Sequence, residues 1–138
     1  EGRADLSAGT LVVVREAGRE IGQARFAQFV QEDDELAAEV VTNEFLEPQF
    51  RASSAGEDVI RRAGWRVPAP HEGHDVWWFT LPWPATSTQY KQLSLMVVKA
   101  LRDGYEIDDT TLWCYRAWNE RKGNESVELP RLGLPRER

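Results

Sequence analysis

The chain has 138 residues, 41% of them hydrophobic and 29% charged, which suits one domain whose core needs no metal or disulfide to staple it. A net charge of -6, from 23 acidic and 17 basic side chains, disfavours general attraction to nucleic acid or anionic lipid. The single cysteine, Cys114, excludes an internal disulfide framework, and there is no run of about 18 apolar residues to cross a bilayer as a helix. The reading is a cytoplasmic protein with neither nucleic acid nor membrane among its partners. Because the chain opens on Glu1 and not on methionine, an upstream segment or tag is expected to have been removed.

Glu1 to Gly9 is a polar lead-in. Thr10 to Arg15 is β-branched and continuously apolar at its centre, which predicts a strand covered on both faces. Gly18-Arg19-Glu20 breaks it. Arg25 to Gln31 alternates between two faces, and the charged turn Glu32-Asp33-Asp34-Glu35 leads into Leu36 to Val41. The segment from Glu35 to Val41 reads as a third strand, with a helix as the alternative because of its two alanines and two glutamates. Short connections require antiparallel pairing, since a parallel pair needs a crossover of about a dozen residues or more.

Asn43 to Phe50 is a loop whose Phe45, Leu46 and Phe50 must find a surface to bury on. Ser54 and Glu57 have capping-box spacing and open a short helix with Val59, Ile60 and Ala63 on one side, ended by Gly64. Arg61 and Arg62 favour the dipole in its last turn. Trp65 to Val67 reads as a short strand, Pro68 to Asp75 as a surface connector, and Val76 to Leu81 as a strand stopped by Pro82.

Next comes the strongest local signal in the chain. Thr86 and Gln89 form a capping box, Gly104 is the natural stop, and Tyr90, Leu93, Met96, Val97, Ala100 and Leu101 fall on one stripe opposite Lys91, Gln92, Lys99, Arg102 and Asp103. Leu95 falls outside the stripe among the cations, where a monomer gains nothing from it; the expectation is a second contact, with a partner chain, and the alternative is an incidental surface leucine. Thr110 to Trp118 predicts a last strand, with Trp113, Tyr115 and Ala117 on one face and Leu112, Cys114 and Trp118 on the other. The order is β-β-β-α-(β)-β-α-β: an α+β fold with an antiparallel sheet packed against two helices. Residues 1–118 form one domain, and the polar tail 119–138 is expected to dock its Val127, Leu129, Leu132 and Leu134 in a groove of this chain or of a neighbour.

Motifs for chemistry are scarce. His71 and His74, three apart in a loop, fall short of the three or four ligands of a zinc site. The acidic turn 32–35 lacks the alternating oxygens and central glycine of a calcium loop and reads as a solvated hairpin. Cys114, between Trp113 and Tyr115, has no cationic or basic neighbour to make it a nucleophile. With no GxGxxG, GxxxxGK[ST] or GxSxG, the sequence calls for no cofactor and no catalytic residue. The unusual feature is six tryptophans. Adjacent residues of a strand face opposite ways, so Trp77 and Trp78 cannot share one core. The outward one is either covered by the Phe45 to Phe50 loop or part of a recognition surface.

The combination Arg25-Phe-Ala-Gln-Phe29, Glu39-Val-Val-Thr-Asn-Glu-Phe-Leu46, Ala63-Gly-Trp65 and Leu81-Pro-Trp-Pro84 before a long helix ending Leu101-Arg102-Asp103 resembles the actinobacterial TY-Chap group of peptide chaperones. These are related in fold to YbjN-like proteins and type III secretion chaperones. The resemblance covers roughly residues 10 to 118. It implies an antiparallel sheet on helices, no catalysis, a tendency to dimerise, and binding of extended peptide segments. It also implies an opening amphipathic helix, which Glu1 to Gly9 is too short and polar to supply.

Function at this stage is a non-catalytic chaperone or adaptor, expected to be a homodimer, holding a peptide or protein client by sheet-edge or aromatic-groove contacts. The expected contact residues are Trp77, Trp78, Phe45, Phe50 and Leu95. The alternative is a small-ligand protein or enzyme with a tryptophan-lined pocket near His71, His74 and Asp75.

Overall fold

The computed structural model describes residues 10–20, 22–82, 85–107, 113–119 and 125–126. Strands β1 (Thr10–Glu16), β2 (Phe26–Gln31) and β3 (Glu35–Val40) form the antiparallel meander, so the helical alternative for 35–41 falls. Helix α1 (Ser54–Ala63) separates them from β4 (Trp77–Pro82), and α2 (Ser87–Val98) leads on to β5 (Trp113–Asn119) and the two-residue β6 (Glu125–Ser126). The strand order is β4-β3-β2-β1-β5-β6, every neighbour antiparallel. This is the expected α+β architecture. Of the predicted strand at Trp65 to Val67, only Arg66 pairs, through a bridge to Trp78. The whole lead-in, the start of the last strand and most of the tail lie outside the described residues.

The period of two decides which side of the sheet is buried. Register sets Val14, Ala27, Val40 and Trp77 in one cross-strand row and Val12, Phe29, Ala38 and Phe79 in the next. Small Ala27 and Ala38, at 0% and 1% exposure, let the helical layer approach the sheet between the larger side chains. Leu93, Met96, Val97, Ala100 and Leu101 of the predicted stripe join that core, with Tyr90 packed at its margin and Leu95 outside it.

Caps explain the helix starts. Thr86 accepts from the Gln89 amide at 3.2 Å while the Gln89 side chain accepts from the Thr86 amide at 2.8 Å, the reciprocal capping box that the spacing predicts. In α1 the cap is one residue earlier than expected: Ser53, not Ser54, accepts from the Gly56 amide at 3.0 Å. Gly64 ends α1 at φ 118.

The end of the long helix departs from expectation. After Val98 it widens into a π-helical stretch, Lys99–Gly104, in which the Tyr105 amide donates to Ala100 O at 2.9 Å. Gly104 is not left-handed; Glu106 takes that role at φ 61. Gly104 is needed for a different reason, because a Cβ there would stand 2.5 Å from Ile60 Cγ1 of α1. Tyr105 then donates its hydroxyl to Val41 O at 2.5 Å, tying the helix end to the end of β3; burial pushes its phenol far above the usual range.

Candidate functional site

The five contact residues singled out by the sequence fall in separate regions. Trp77 lies in the core at 5% exposure, so it has no surface to offer a partner; the inward parity of β4 assigns it there. Trp78 faces the opposite side and is half-buried. Its cover is the connector before β4 and not the Phe45 to Phe50 loop: His74 stacks on the indole at 3.8 Å and 7°, and the Arg66 guanidinium stands 5.1 Å from the ring centre. The indole N–H donates to Val67 O at 2.9 Å.

That arrangement also separates the histidines. His74 lies flat against the Trp78 ring, whereas His71 is exposed in a short turn, Pro70–Glu72, so the two do not converge over an apolar hollow. Among the described residues no group of three or more His, Cys, Asp or Glu side chains could hold a metal ion. Cys114 is buried.

Phe45 and Phe50 lie in two short 3-10 turns after β3. Phe45 is 51% exposed, while Phe50 lies beneath Arg19 and Arg25, at 4.9 and 5.7 Å from ring centre to guanidinium. The sequence reading missed what holds Arg25 there. Glu16, only 3% exposed at the end of β1, accepts from Arg25 through Nε at 2.6 Å, Nη2 at 2.8 Å and the backbone amide at 3.0 Å. Burial raises the Glu16 pKa, but the hydrogen bonds and charge of Arg25 outweigh it and hold the carboxyl below its usual value. Parity with Val12 and Val14 places Glu16 on the buried face, but a strand ending in Val-Arg-Glu gives no local sign of the cation that would partner it there.

Leu95 is 58% exposed on the outer side of α2, in a shallow groove of about 410 Å³ lined with Tyr90, Lys91, Ser94 and Val98. The two sheet edges differ in character. On β4, Trp78 is already bonded outward to Arg66, at 2.9 and 3.1 Å, and Pro82, which shares its parity, has no N–H. On β5, the described residues provide a neighbour only at the far end, where Trp118 pairs with Ser126 and Asn119 with Glu125.

The family model TY-Chap3, described as T3SS (YopN, CesT) and YbjN peptide-binding chaperone 3, matches residues 3–119. The chain belongs to the TY-Chap3 family. Comparison with curated proteins and with solved structures returned no match. The family's description is one of peptide binding and names no reaction. The TY-Chap3 match ends at Asn119, the last residue of β5, so β6 lies beyond it.

Proposed function

We propose that the protein holds an extended segment of a client polypeptide as an added strand along the outer edge of β5. One observation supports this above the others: the chain's own residues Glu125–Ser126, beyond the family match, pair with that edge at Trp118 and Asn119 only. Strand addition needs no particular client sequence, since backbone N–H and C=O groups provide the affinity and alternate side chains the selectivity. The β4 edge is the poorer candidate because Arg66 and Pro82 blunt it.

The test uses the chain cut after Asn119 and a synthetic peptide of residues 120–138. Saturable binding, with amide resonance shifts concentrated on β5, is expected. A folded truncated chain that leaves the peptide free, or that binds it equally well when the peptide amides at 125 and 126 are N-methylated, would refute the strand-addition reading.

A further inference from the structure

The protein is acidic overall, yet the outer side of its long helix is basic. From Ser87 to Gly104 the charged residues are Lys91, Lys99, Arg102 and Asp103, a balance of three positive to one negative against -6 for the chain. Asp103 is engaged by Arg102 through hydrogen bonds of 2.8 and 3.1 Å. Among the described residues, neither Lys91 nor Lys99 has a carboxylate within ion-pair distance. Leu95 stands one helical turn from each lysine, exposed, on the apolar groove that Tyr90 and Val98 line.

We propose that this groove docks a segment of a partner protein that carries apolar residues flanked by carboxylates. The groove supplies an apolar surface for the former, and the two lysines, placed a turn either side of Leu95, supply charge for the latter. A second copy is the weaker occupant, because a two-fold contact would bring the lysines of one helix against those of the other. The chain's own tail is also disfavoured: residues 120–138 hold five basic and four acidic side chains, a balance of +1. The inference shares with the β5 reading only the class of partner, a polypeptide; the two surfaces are distinct and fail separately.

The experiment measures anisotropy of two labelled helical peptides with the same apolar residues, one flanked by glutamates and the other by lysines, against the full chain at low salt. The wild type is expected to prefer the glutamate-flanked peptide, and Lys91→Glu with Lys99→Glu is expected to weaken that peptide at least about tenfold while strengthening the lysine-flanked one. Leu95→Asp is expected to weaken both. The reversal of preference cannot arise from misfolding, since a misfolded chain would not exchange one peptide for the other. Equal binding of the two peptides, no binding of either, a preference that survives charge reversal, or displacement of the peptide by anionic lipid vesicles would overturn the inference.

Discussion

The carbonyl of Gly104 occupies the space in which a Cβ on Gly56 would stand, so α1 and the π-helical end of the long helix meet backbone to backbone. A methyl at Gly56 gains roughly 0.5–1 kcal/mol of helix propensity, but it collides with main chain that no rotamer change can clear. Overpacking of this kind costs typically about 1–3 kcal/mol. Gly56→Ala is therefore expected to lower stability despite the better helix former, as read from the urea midpoint. An unchanged or raised midpoint would mean that the two helices can separate without penalty.

Glu16 makes stability depend on pH with a definite sign. Its folded pKa lies below the usual glutamate value, so between the two values the unfolded chain binds more protons and stability rises with pH. The contribution is complete above the usual glutamate range and is lost as pH falls through the folded value. Glu16→Gln should flatten this part of the acid limb, seen as a smaller drop in melting temperature on acidification than in the wild type; parallel curves would contradict it. Arg25→Met leaves the carboxylate buried without its guanidinium and should cost about 3 kcal/mol at neutral pH.

Two tryptophans offer a matched comparison. The Trp65 indole N–H donates to Met96 O at 3.0 Å in the core, while that of Trp113, similarly buried, has no acceptor among the described residues. Replacement by phenylalanine removes similar volume from each site but breaks a hydrogen bond at one and relieves an unsatisfied donor at the other. Trp65→Phe should be the costlier change by about 1–2 kcal/mol, measured by chemical denaturation. Equal losses would show that packing alone decides both sites.

Exchange of the tail between copies would keep every β5–β6 contact while joining two chains. The full chain is expected to show a mass by light scattering that rises with concentration, and the chain cut after Asn119 to remain a monomer. A truncated chain that still dimerises would place the homodimer contact elsewhere.

Much of the fold is legible locally. The three-strand meander follows from alternation and short turns, the α2 cap from Thr86 and Gln89, and the core stripe from the spacing of Leu93, Met96, Val97, Ala100 and Leu101. Leu95 was identifiable as a surface residue because it breaks that stripe. The contact surface as a whole was less legible: parity shows that Trp77 and Trp78 separate, but not which of them faces inward, nor that the connector holding His74 folds back over the other.

By itself, then, the sequence determined most of the elements and which residues share a face along each, because period, caps and breakers act between residues a few positions apart. Only the tertiary structure decided the burial of Glu16 against Arg25, the glycine contact between Gly56 and Gly104, the π-helical ending of the long helix and the contrast between a blunted β4 edge and the β5 edge paired with β6. Each depends on groups that chain order keeps apart and packing brings together, and no local pattern encodes the partner across the gap.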